Sequence, residues 1–224
     1  MCGRFTQKAE RPDIQLEFYI QGWNATPEVS YNIAPSQKAG IIYNDNGENI
    51  YDEFQWGLIP SWAKKDKAEY KMINAKAETI NQKPSFKGPF KSKRCLVPAS
   101  GFYEWKKEGN KKIPYYIFLK DNPLFSLAGL FDEWISENKK IKTFTIITTT
   151  ANDLVAEIHD KKRMPVIIDK RDRDLWLNNN EFREKDLLGL LEPYKSDLMD
   201  AYEVSSFVSS PNNNSPKCIE AVKR

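Results

Sequence analysis

Histidine is nearly missing from this chain: His159 stands alone among 224 residues. Cysteine is almost as scarce. Cys2, Cys95 and Cys218 are too few and too scattered for a disulfide framework, and no Cys-x-x-Cys or Cys/His cluster has metal-ligand spacing, so neither a structural metal nor a cofactor is expected. No apolar run approaches the roughly 18 residues needed to span a bilayer, and the start MCGRFTQKAERPD lacks the apolar core of a secretory signal. A cytoplasmic protein without membrane association is expected. There is no repeat, no low-complexity tract and no Gly/Ser/Pro-rich linker, so one domain over residues 1–224 is expected. No amphipathic pairing helix stands out, which favours a monomer. Nor does one sign of charge dominate: 34 basic residues face 31 acidic ones, and the net charge of +3 does not announce a nucleic-acid partner.

The distribution of charge says more than its sum. Basic residues concentrate in 83–94 (KPSFKGPFKSKR), in 106–112 and in 161–163, and the plain reading of each is a solvated loop. Acidic residues gather in 169–200, as expected of a peripheral helical segment. With 40% hydrophobic and 12% aromatic residues the chain has the means to build a core, and disorder is excluded.

Short alternating or β-branched runs bounded by turn formers predict strands over 40–43, 50–56, 95–98, 114–119, 124–131 and 143–149. Helices are predicted over 11–19, where Pro12 stands near a start, over 152–159, where Asn152 or Asp153 can cap, and over 172–178 and 184–191. Without βαβ alternation, this is a strand-rich α+β protein. The tail from Ser209 is polar and turn-rich, suited to a surface return segment or to partial fraying.

Few residues could carry chemistry. Removal of Met1 would make Cys2 the N-terminus, with an α-amine of reference pKa about 7.7–8.0 beside a thiol of about 8.5. Such a pair reacts with an aldehyde: the amine forms an imine and the sulfur closes onto the same carbon as a thiazolidine, aided by proximity. With Met1 retained there is no free amine, and the plain alternative is a small buried hydrophobe. His159, at the end of a predicted helix in IHDKKRMPVII, is either structural or a proton-transfer group in a charged turn. Glu104, between Tyr103 and Trp105, is either turned to solvent or held with a raised pKa that suits a general acid. In MINAKAETI a half-buried strand would put Asn74, Lys76 and Glu78 on one face, for a sugar and a phosphate or merely for solvent. Trp56 and Trp62 bracket a Pro-containing turn, as core or as a base-stacking platform.

Taken in order, MCGRF, YNIAPSQ, WGLIPSWA, INAKAET, RCLVPASGFYEW and IHDKKRMPV resemble the SOS-response-associated peptidase family, whose members act as shields for abasic DNA. The matches run from Met1 to about Val166, with a weaker echo in VSSFV and NSPKCIE. The resemblance implies a twisted antiparallel sheet or barrel-like core with peripheral helices, and a positively charged groove with Cys2 at its floor. It implies that Cys2 forms a thiazolidine with the ring-opened abasic sugar in single-stranded DNA, that Asn74 positions the amine or sugar, and that Glu104 and His159 manage proton transfers. Arg4, Asn32, Pro35, Trp62, Lys76 and Arg163 are implied to line the DNA path. The family name also records a peptidase activity, so self-removal of Met1, a thiol peptidase or a lyase-like enzyme are expectations too, with a non-covalent single-stranded DNA binder as the alternative from another class. Two departures stand out. Lys76 replaces the Arg common in this segment, keeping the charge but losing the planar fork, and Lys161 and Lys162 precede Arg163 where relatives have a compact HDRMP.

Overall fold

The computed structural model describes residues 2–64, 72–137, 139–179 and 182–222. Its centre is a ring of five strands. β4 (Lys38–Asp45) and β5 (Glu48–Trp56) form a hairpin paired from Lys38↔Gln55 to Asp45↔Glu48. Asn46 and Gly47 supply its two-residue turn, with φ 51° and 94°; positive φ at both central positions is what a type I′ turn demands, and Asn-Gly is the dipeptide that tolerates it best. β7 (Arg94–Ala99) joins β4 at Ile42↔Leu96 and pairs β10 (Phe125–Ser136) from Phe125↔Ala99 to Leu130↔Arg94. β10 pairs β11 (Lys139–Thr150), and β11 returns to β5 through the parallel pairs Thr143↔Gln55 and Phe144↔Trp56. The circuit is thus closed, and no edge is left between these five strands. Gly129 permits the tight curvature: a Cβ there would lie 2.8 Å from Cys95 Sγ and 3.1 Å from the Thr145 carbonyl oxygen.

Around the ring, β2 (Gly22–Trp23) runs beside β5, β6 (Asn74–Lys76) beside β11 in parallel, and β12 (Arg163–Pro165) and β13 (Ile167–Ile168) pair with β11 and β10. A second sheet has the order β14 (Met199–Glu203), β9 (Lys111–Leu119), β8 (Gly101–Glu108), β1 (Phe5–Gln7), β3 (Ser30–Ile33). Between the two sheets lies one core in which Phe5 meets Trp56 edge-on at 5.2 Å and Trp56 stacks on Phe144 at 6.2 Å, with Cys2 buried in the same cluster. Trp56 is therefore core, whereas Trp62 is 57% exposed.

Among the described residues, five α-helices lie outside the strands: α1 (Arg11–Phe18), α2 (Pro84–Ser92), α3 (Asp153–Ile158), α4 (Arg173–Leu177) and α5 (Glu184–Gly189). α1 is held at its start by a reciprocal box between Glu10 and Asp13 and by an early proline, and α3 by the Asn152 side chain accepting from the Val155 amide at 3.0 Å. The strand-rich α+β expectation with peripheral helices agrees with this architecture.

Two local expectations are corrected and one open alternative is decided. The basic stretch 83–94 is not a solvated loop: it contains α2, started by Pro84, and ends in a fully buried Arg94 whose guanidinium donates to the carbonyls of Trp176, Phe90, Lys91 and Asn178. The strand through Asn74 stops at Lys76 and tightens into a 3-10 turn over Ala77–Thr79, so Glu78 leaves the strand that carries the other two residues. The tail is an ordered return segment rather than a frayed one: 3-10 turns at Ser206–Ser209 and Pro216–Ile219 bring Val208 and Cys218 into a small core with Tyr103, Tyr116 and Val204. No helix among the described residues is long and apolar enough to cross a membrane.

Candidate active site

The N-terminal segment is placed by pairing. Phe5 lies opposite Phe102, and the Tyr103 amide donates to the Arg4 carbonyl at 2.9 Å. Continued back along the chain, that antiparallel register sets Gly3 against Glu104 and Cys2 one step beyond, and the Cys2 thiol lies near enough to Glu104 to feel its charge. From the other side β6 brings Asn74, whose Nδ2 donates to the Cys2 carbonyl at 3.0 Å and to the Ile73 carbonyl at 2.7 Å. Ile73 is fixed in turn by the Trp56 indole, which donates to the same carbonyl at 2.8 Å. The core tryptophan thus sets the strand that sets Cys2.

His159 comes from a third element. It closes α3, with its amide donating to the Val155 carbonyl at 2.8 Å, and a turn in which Lys162 adopts φ 47° lets the chain double back to β12. His159 Nδ1 lies 2.8 Å from the Arg163 carbonyl oxygen and 3.4 Å from the Arg163 amide nitrogen. The two contacts ask for opposite tautomers; the shorter one decides, so Nδ1 carries the hydrogen and donates. Nε2 is then a lone pair, and it faces Glu104 Oε2 at 3.6 Å.

Burial sets the protonation of all three groups. Glu104 is 3% exposed, and desolvation raises its carboxyl pKa to about 7. The His159 imidazole is pushed down by the same cause, so at neutral pH a carboxyl close to half-ionised stands beside a neutral imidazole. The Cys2 thiol is pushed well up, first by burial and then by charge on Glu104, and is protonated at rest. Two buried acceptors of this cluster, Asn74 Oδ1 and Glu104 Oε1, have no hydrogen-bond partner among the described residues. Buried oxygens are rarely left so, and their combination marks a place for a donor brought by a ligand or by a free amine.

Cys2, Asn74, Glu104 and His159 are thus gathered in one place. The residues expected along a DNA path divide. Trp62 and Lys76 are exposed, and Pro35 is half-buried at the first central position of a turn over 34–37 whose second, Ser36, has φ 73°. Arg4, Asn32 and Arg163 are occupied inside the protein. Arg4 donates to Asn32 Oδ1 and to the Val208 carbonyl, both at 2.8 Å, and lies over the Trp105 ring. Asn32 is 1% exposed, and its amide donates to the carbonyls of Val208, Ser210 and Asn213 at 3.1, 2.9 and 2.6 Å. Arg163 grips Glu78 with both terminal nitrogens and also reaches the Thr148 carbonyl.

An open pocket of about 430 Å³ lies against this cluster, lined by Glu104, Trp105, Lys107, Lys112, His159, Asp160, Lys161 and Ser209. A larger cavity of about 700 Å³ between 167–172 and 189–198 contains none of the candidate residues. Lys107 and Lys112 belong to the basic stretch 106–112, which is the signal in the sequence that could have found them. No group of three His, Cys, Asp or Glu side chains able to hold a metal occurs among the described residues.

Residues 1–211 match the family model described as SOS response associated peptidase (SRAP). The abasic site processing protein YoqW of Bacillus subtilis (strain 168) is 49% identical over 225 residues, which cover 99% of this chain and 100% of that protein. The abasic site processing protein HMCES of Gallus gallus is 33% identical over 230 residues, covering 92% of this chain and 67% of that one. An X-ray crystal structure of a Bacteroides thetaiotaomicron protein has the same fold, with a TM-score of 0.90 at 33% identity, covering 99% of this chain and 100% of that one. On the matched length, on these identities and on the fold, the chain belongs to the SOS response associated peptidase (SRAP) family.

Proposed function

We propose that this protein captures abasic sites in single-stranded DNA as a covalent thiazolidine on Cys2, once Met1 has been removed. The observation that carries the reading is the convergence on Cys2 of an amide that holds its carbonyl and a carboxyl poised near neutrality. The names of the relatives, abasic site processing proteins, supply the aldehyde.

The closed abasic sugar must first open, which takes an acid at the ring oxygen and a base at the anomeric hydroxyl. Glu104, close to half-ionised at neutral pH, serves as the acid, and neutral His159 with its Nε2 lone pair serves as the base. The Cys2 amine adds to the exposed C1′, and loss of one water leaves an imine. Sulfur then bonds to the imine carbon, and the thiol proton passes by way of Glu104 to the nitrogen. The balance is one C–N bond and one C–S bond formed and one water released, with nothing oxidised or reduced. Because the resting thiol is protonated, the amine attacks first and the sulfur closes the ring second.

Trp62, Lys76 and Pro35 meet the DNA in this reading, with stacking on the exposed indole and charge on phosphate. Arg4, Asn32 and Arg163 act from behind by holding the N-terminal strand, the tail and the His159 turn. Two other readings compete, a peptidase acting on other proteins and a non-covalent binder. Cys2→Ala separates the latter: a pure binder keeps its whole function, whereas a cross-linker keeps salt-sensitive binding and loses the adduct. Retention of a denaturation-resistant adduct by Cys2→Ala would sink the proposal.

A further inference from the structure

Lys107 on β8 and Lys112 on β9 are direct partners across the hairpin, so two cations face each other where opposite charges or neutral residues would stabilise the pair. Lys106, one position earlier, has Glu108 at 3.7 Å to offset it. Lys161, on the turn after His159, reaches the same space from another element, and all three lysines line the pocket that begins at Glu104 and His159. Asp160 is the acidic residue that shares this wall, and Glu104 is close to half-neutral there. Trp105 and Ser209 complete the lining, and Trp105 is fixed by Arg4 over its ring and by its indole nitrogen, which lies 3.4 Å from Ser209 Oγ. A like-charged pair kept across a hairpin, a third cation converging from another element, and a rigid indole together describe a seat for a polyanion next to the reacting groups.

We propose that Lys107, Lys112 and Lys161 form a subsite for the phosphodiester backbone on one side of the lesion, so that the flanking strand leaves the reacting sugar through this pocket in a single polarity. The inference rests on the abasic-DNA reading of the same cluster and adds to it a direction and three phosphate-binding side chains. Its consequence is asymmetry: nucleotides on one side of the abasic site contribute affinity through this pocket, and nucleotides on the other side do not use it.

The test uses the full chain with Lys107→Gln and Lys112→Gln combined, and as a charge-matched control Lys185→Gln with Lys195→Gln. Binding is measured in the Cys2→Ala background over a salt series, with three single-stranded oligonucleotides of equal length carrying the abasic site in the centre, at the 5′ end or at the 3′ end. For the central oligonucleotide and for one of the end-labelled pair, the double variant binds about tenfold more weakly and its log–log salt slope falls by about 1.4, two phosphates at about 0.7 each on single strands. The remaining oligonucleotide binds both proteins alike, and the control variant changes neither value selectively. Equal losses on all three oligonucleotides, or no loss on any, overturn the subsite. Cross-linking by the Cys2 protein is read in parallel, so a failure of capture with intact polar binding counts against the covalent reading and not against this one.

Discussion

His159 Nε2 and Glu104 Oε2 lie 3.6 Å apart, on a helix end and a strand that are remote in sequence. The separation is longer than a hydrogen bond, and burial moves both groups toward their neutral forms. Neither group locks the other in a hydrogen bond, and a carboxyl near neutrality beside an imidazole of lowered pKa is what a site needs if it must protonate one oxygen of a sugar and deprotonate another.

The raised Glu104 pKa costs stability above the carboxyl's ordinary range. In the unfolded chain the carboxyl titrates near 4.3, in the folded protein near 7. Between these values the folded state holds more protons, so stability falls as pH rises through that window and stays lower above it, by about 4 kcal/mol. Glu104→Gln removes the penalty. It is expected to raise the melting temperature at pH 8 by on the order of 8 to 16 °C, with little gain at pH 4, while slowing cross-linking by about a hundredfold. Thermal melts at the two pH values and single-turnover cross-linking check both halves; a variant no more stable at pH 8 than its parent contradicts the buried, near-neutral carboxyl.

Asn74→Ala removes the amide that fixes the Cys2 carbonyl and leaves that carbonyl in a buried setting without it. The expected outcome is cross-linking slower by roughly ten- to a hundredfold at saturating DNA, as a misplaced nucleophile loses the gain from orientation, with the salt dependence of binding unmoved. A loss confined to affinity would assign Asn74 to the DNA instead.

Asn32→Ala acts at a distance from the chemistry. Its amide joins Arg4 to three tail carbonyls, and removing it strands several buried polar groups at once, for a destabilisation of about 3 kcal/mol. Denaturant titration should show the lower midpoint, and cross-linking at a temperature where the variant is folded should fall far less than in Asn74→Ala. The reverse ranking would mean that Asn32 touches the lesion.

Much of the frame is legible in the sequence because it is periodic. The alternating runs at 50–56 and 143–149 fall inside β5 and β11, and Asn152 announces α3 by its capping chemistry. α2 was hidden because Gly88 and Pro89 argue against a helix, while lysines surround Phe86 and Phe90, whose helical spacing is the only sign of it. β6, three residues long, has too little length for any period to show. The candidate cluster is named in the sequence only through its motifs, since neither a lone histidine nor a lone carboxylate tells its protonation before its burial is known. The Arg4 contacts with Asn32 and Val208 span 28 and 204 residues of chain, and no local pattern encodes such a meeting.

The central claim is the bond to Cys2, and the direct measurement is the intact mass of the product formed with a single-stranded oligonucleotide carrying one abasic site, run beside Cys2→Ala and a form that keeps Met1. A denaturation-resistant species weighing protein lacking Met1 plus DNA less one water, absent from both controls, is the predicted result. An adduct of that mass with Cys2→Ala, or none from protein whose free N-terminal Cys2 has been verified, would contradict the account.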